Sequence, residues 1–142
     1  MKPFKLVLAV ALFAFAGVSM AQGKVDSKGV TAKVKLEEVV SGYLTEVNGK
    51  YKLRATEVTF APGAYLGAHH HLGPGIRYVV SGTLTFTEVG KDTLYKTGDM
   101  FFESGNVVHT ARNNTDKPLR MVFFEIVPAE LAGPSTIVPR AY

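Results

Sequence analysis

A chain of 142 residues with 46% hydrophobic content is the size of one domain built around one core. Charged residues make up 20%, with 14 Gly and 7 Pro, a balance that excludes disordered and fibrous classes and describes a loop-rich globular domain. The chain has no cysteine, which excludes thiol chemistry and disulfides.

The N-terminal stretch carries the pattern of an export signal. Lys2 and Lys5 are followed by an uncharged apolar run from Leu6 to Ala16, and Ser19-Met20-Ala21 puts small residues at the two positions a signal peptidase reads. The uncharged stretch from Leu6 to Ala21 has 16 residues, short of the ~20 that span a bilayer. Residues 1–21 are therefore expected to be removed on export to the periplasm or beyond, leaving no membrane attachment. Taking Lys2 and Lys5 from the 16 basic residues leaves 14 against 12 acidic ones, which gives no case for a nucleic-acid partner.

Gln22 to Lys33 is polar and aperiodic and reads as a flexible leader. From Val34 short apolar or alternating runs are closed by turn residues, which predicts β-strands at 36–44, 51–60, 65–71, 76–80, 83–89, 93–95, 100–102 and 119–127. Asn48-Gly49, Pro62-Gly63, Ser81-Gly82, Gly98-Asp99 and Asn113-Asn114 punctuate them. Many short strands at this spacing and no helical run mean an all-β sandwich or barrel over 34–127. The tail 128–142 holds Pro128, Pro134 and Pro139, cannot join a central strand, and is expected to wrap the outside.

All four histidines fall in two places, His69-His70-His71 and His109. Side chains alternate along a strand, so His69 and His71 share a face and His70 points away. Two imidazoles on one face and a third from elsewhere make a three-ligand site for one divalent ion. Iron, zinc, nickel, copper and manganese all remain open, since affinity order does not decide what a cell supplies.

The spacing around these histidines resembles the cupin superfamily. Its first motif, G-(x)5-H-x-H-(x)3,4-E-(x)6-G, matches Gly63, His69, His71 and Gly82; its second, G-(x)5-P-x-G-(x)2-H-(x)3-N, matches Gly98, His109 and Asn113. The resemblance implies a small jelly-roll β-barrel, a double-stranded β-helix, with the metal between His69, His71 and His109. Three departures stand out. The motif's ligand Glu is replaced by Gly75, its Pro by Ser104 and its second Gly by Asn106. The expected centre thus has three histidines and an open face for water, substrate or dioxygen.

Alternation puts Arg77 on the same face as position 75, so it is expected to grip the anionic group of a small-molecule ligand. Glu57 and Glu103 are carboxylates that would supplement the metal or lie solvated at strand ends. Asn113 reads as a turn cap. Phe86, Phe101, Phe102, Phe123, Phe124 and Tyr78 are expected in the core and pocket wall. Two functions follow: a metal-dependent, dioxygenase-like enzyme acting on a small organic acid or carbonyl compound, or a non-enzymatic module that binds a metal or small ligand. No convincing general base is visible, which weighs toward the second. A homodimer through an edge strand at 36–44 is a further expectation.

Overall fold

The computed structural model of the chain describes residues 24–139, and the expected signal segment 1–21 lies outside them. Among the described residues the regular elements are all strands: β1 (Ser27–Val39), β2 (Tyr51–His71), β3 (Gly75–Ser81), β4 (Thr83–Glu88), β5 (Lys91–Lys96), β6 (Met100–Glu103), β7 (His109–Arg112), β8 (Leu119–Pro128) and β9 (Thr136–Ile137). They form one sheet in the order β5-β4-β7-β2-β8-β3-β6, with β1 and β9 also pairing with β2, and every pairing is antiparallel. Rolled up, the sheet is a barrel, one of the two all-β forms that the strand spacing leaves open and the one that the motif resemblance implies.

β2 is the spine. Its first half pairs with β8 from Tyr51↔Pro128 to Phe60↔Leu119, and its second half pairs with β7. The sequence predicts two strands here, separated by Pro62-Gly63. The structure instead carries one strand through a bend at Gly63, whose φ of 69° is open to glycine without strain. Alternation along β2 sends Lys52, Arg54, Thr56, Val58 and Phe60 inward. Phe60, Val79, Leu84, Leu119 and Met121 are almost wholly buried and, with Val58, Phe86, Phe101 and Ala111, fill one end of the barrel.

Several expectations need correction. Residues 27–33, read as flexible leader, belong to β1, which pairs with β2 from Ser27↔Leu66 to Val39↔Lys52. β1 is exposed along nearly all its length, so its order comes from backbone ladder bonds and not from an apolar stripe that periodicity could reveal. The strand expected to reach residue 44 ends at Val39. Phe102 and Phe124 are 67% and 49% exposed on the outer face, because in the pairs Phe101-Phe102 and Phe123-Phe124 alternation turns only the first ring inward.

The tail returns onto the barrel instead of only wrapping it. Arg54 donates to the Gly133 and Leu131 carbonyls at 2.7 and 3.1 Å, and Lys52 donates to Leu131 O at 2.7 Å. These bonds draw the 131–135 segment across the open end. There Ser135 is buried, and β9 pairs with His70 and His71.

Candidate metal centre

Strand register assembles the histidines. His69 and His71 lie on β2, and His109 opens β7 directly across the ladder from His69. Between Leu66 and His69 on β2 there is one residue more than between Ala111 and His109 on β7, a bulge that re-aims the strand just before the site. His69, His71 and His109 are 1%, 4% and 3% exposed, while His70 is only half-buried and faces away. The rings stand 4.3–5.4 Å apart, centre to centre, and one ligand nitrogen from each lies within 4.8 Å of the others.

Hydrogen bonds choose the tautomers. His69 Nδ1 lies 2.7 Å from Gly67 O and His109 Nδ1 lies 3.0 Å from Val107 O; a carbonyl can only accept, so both Nδ1 atoms carry the proton. His71 Nδ1 meets the Glu125 carboxylate at 3.2 Å, and Ser135 Oγ donates to the same Glu125 oxygen at 2.8 Å. In His69 and His109 Nε2 is left with a lone pair. The buried Nε2 atoms of His71 and His109 have no hydrogen-bond partner.

Burial, joined by the neighbouring His109, lowers the His69 pKa to about 3, and burial lowers that of His109 to about 4, so both rings stay neutral near pH 7. Outward-tethered, converging imidazoles are the donor set of a divalent transition metal, and buried ring nitrogens that make no hydrogen bond fit a metal better than they fit an apolar core.

Around the histidines lies a layer of charge. Arg77 is fully buried; its Nε and Nη2 donate to Glu103 Oε2, and its Nη2 also reaches Glu125 at 3.1 Å. The guanidinium carbon sits 4.5 Å above the Phe123 ring. Arg77 was expected to hold a substrate anion. A buried guanidinium does need an anion, but two carboxylates of this chain already supply it. Burial would raise the Glu125 carboxyl, yet the hydrogen bond from His71 and the charge of Arg77 outweigh it and hold the carboxyl below its usual range.

Glu103 lies 3.1 Å from His109 Nε2 through Oε1 and 3.3 Å from His71 Nε2 through Oε2. Glu57 is elsewhere, paired with Arg120 at 2.9 Å on the outer surface. Asn113 is wholly buried and donates to the Phe60, Ala61 and Lys117 carbonyls, tying the loop after β7 to β2. Sequence reasoning missed Glu125 and Ser135. Glu125 had a signal, an acid at an inward position of the alternation Met121, Phe123, Glu125, Val127; Ser135 had none, because it arrives by the return of the tail.

A cavity of about 690 Å³ reaches the centre at the His71 edge, where His71, Glu125 and Ser135 line it beside Arg54, Thr56 and Phe123.

Comparison with known proteins agrees with this architecture. No curated protein matches the chain. Among solved structures, an RmlC-like cupin from Shewanella frigidimarina is 22% identical, with a TM-score of 0.54 over 75% of this chain and 87% of that one. The polyketide cyclase RemF from Streptomyces resistomycificus is 15% identical, with a TM-score of 0.59 over 84% and 81%. A structure of the DMSP lyases RdDddP and RnDddQII is 22% identical, with a TM-score of 0.51 over 62% of this chain and 44% of that one. The Cupin domain family matches residues 56–125, the segment that carries all three histidines, Arg77, Glu103 and Glu125, and this segment is a cupin domain.

Proposed function

We propose that this protein is a metal-dependent enzyme of the exported space, acting on a small organic acid or carbonyl compound. The observation that carries the reading is the convergence of three buried imidazoles, His69, His71 and His109, whose ligand nitrogens lie within 4.8 Å of one another, with a substrate-sized cavity reaching the His71 edge of the group. His69, His71 and His109 would hold the ion. When bound, it would supply Lewis acidity toward a carbonyl or carboxylate oxygen, or dioxygen chemistry if it is iron.

The chain's own groups then set selectivity. Gly67 O, Val107 O and Glu125 fix the three rings, and Phe123 and Thr56 form cavity wall. Counting Glu103 and Glu125 as ionised, one guanidinium, two carboxylates and a divalent ion leave the buried cluster with a single surplus positive charge. A monoanionic ligand would cancel it, which favours a small carboxylate over a neutral or cationic compound. Fold neighbours named as a cyclase and as lyases are in keeping with an enzyme.

A second reading, a module that binds a metal or small ligand without turnover, draws on one observation. Both carboxylates near the histidines are engaged by Arg77, so neither is a free general base.

The test begins with metal analysis of protein from the exported fraction, for wild type and the four histidine variants. One metal per chain is expected in wild type and in His70→Ala, and none in His69→Ala, His71→Ala or His109→Ala. Loaded protein is then assayed with a panel of small carboxylates and carbonyl compounds, following oxygen uptake and product. Binding without turnover across the panel would favour the second reading. Equal metal loss in His70→Ala would break the assignment of ligands.

A further inference from the structure

Resting on the three-histidine reading, we infer that Glu103 is a fourth protein ligand of the same metal, a carboxylate delivered from β6 in place of the one that position 75 cannot carry.

The first argument is electrostatic. The Val107 carbonyl holds the His109 proton on Nδ1 and leaves its Nε2 an acceptor, and the Nε2 of His71 is buried nearby. Glu103 points its two oxygens, also acceptors, at those two nitrogens from 3.1 and 3.3 Å. A carboxylate oxygen facing the His109 lone pair in a water-poor interior is repelled unless a proton or a metal cation lies between them. Glu103 is itself 6% exposed, so solvent does not relieve the contact.

The second argument is topological. Glu103 is the ladder partner of Gly75 across β3 and β6, so its side chain stands on the same face, next to where a side chain at position 75 would project. Position 75 cannot regain one. A Cβ there would fall against Arg77 Nη1 and the Phe124 carbonyl oxygen, closer than real Cβ atoms approach, and the second of these is backbone. Gly75→Glu, which the motif suggests would restore a ligand, would therefore disrupt the strand.

The third argument is positional. Arg77 bonds Glu103 only through Oε2, by Nε and Nη2, which leaves Oε1 turned toward His109. Arg77 is thus a positioning residue, occupying the space that glycine leaves and holding the neighbouring strand's carboxylate in orientation.

Cobalt(II) is the probe, titrated calorimetrically into metal-free wild type, Glu103→Gln and the surface control Glu57→Gln, with the visible d–d spectrum recorded for each. Glu103→Gln is expected to weaken cobalt binding by at least about tenfold and to change the spectrum, while Glu57→Gln changes neither. A residue that only supports the histidines could also lower affinity, so the deciding readout is infrared. In wild type labelled with ¹³C-glutamate, cobalt should shift one glutamate carboxylate stretch. That measurement needs no variant, and stands if Glu103→Gln fails to fold.

Affinity within about twofold of wild type and an unchanged spectrum in Glu103→Gln would overturn the inference. So would the absence of an infrared shift in wild type that binds cobalt. Wild type that binds no cobalt would bring down the three-histidine reading and this inference with it.

Discussion

The two ends of the barrel interior are comparably buried and are held together by opposite physics. At one end Phe60, Val79, Leu84, Leu119 and Met121 pack apolar surface. At the other, His69, His71, His109, Arg77, Glu103 and Glu125 are comparably buried with formal charges and lone pairs among them. The same strands serve both: β2 runs from Phe60 to His71, β3 from Val79 to Arg77, and β8 from Met121 to Glu125. Burial at the apolar end is favourable by itself, at very roughly 25 cal/mol per Å² of apolar surface. Burial at the polar end is favourable only while every charge keeps its partner, so that end answers to metal and protons and the other does not.

Removing one member of the charge cluster tests this most severely. Arg77→Ala leaves Glu103 and Glu125 facing each other without a cation, and should cost about 3–5 kcal/mol in urea denaturation of metal-free protein at pH 7. Leu119→Ala at the apolar end should cost about 2–5 kcal/mol through its cavity, but by the same amount with or without metal. A loss below about 1 kcal/mol for Arg77→Ala would show that water reaches the carboxylates, so that the polar end is not dry.

Protons should separate the ends next. The folded pKa values of His69 and His109, about 3 and about 4, lie below the unfolded 6.5. Below pH 6.5 the unfolded chain therefore takes up protons that the folded one refuses. The stability these rings contribute is complete above pH 6.5 and is lost as pH falls toward 4. Metal-free protein should lose on the order of 2 kcal/mol per histidine between pH 7 and pH 5, read as a falling melting temperature. His109→Gln should flatten that slope and Leu119→Ala should leave it unchanged. A wild-type melting temperature constant from pH 7 to pH 5 would mean the rings are hydrated in solution.

The outer surface sets the lower bound. Arg120 is more than half exposed and pairs with Glu57 at 2.9 Å, so Arg120→Ala should cost less than about 1 kcal/mol, with less still at high salt. A larger effect, measured by the same denaturation, would show that surface charge contributes more than the contrast between the two ends allows.

Legibility in the sequence followed the same division. Alternation places His69 and His71 on one face and His70 on the other, and it turns Phe101 inward, because a period of two is a local property of extended backbone. Turn residues mark the barrel for a similar reason: Gly63 at φ 69° and Gly98 at φ 94° sit where few other residues are comfortable. Exposure on the second ring of each Phe-Phe pair follows from the same rule, once the register is known.

Local periodicity and turn chemistry thus suffice for an all-β domain of sandwich or barrel type and for the pair of histidines sharing one strand face, and the motif spacing narrows the fold to a barrel. The sequence by itself did not decide what Arg77 holds, which carboxylate stands opposite Gly75, or whether residues 27–33 are ordered. Those depend on which strands become neighbours. Glu103 meets Gly75 only because β6 pairs with β3, Glu125 reaches His71 and Arg77 only because β8 lies between β2 and β3, and β1 is a strand only because β2 offers it a ladder. Ladder register between distant segments is set by the closing of the whole sheet, and no short window of residues contains it.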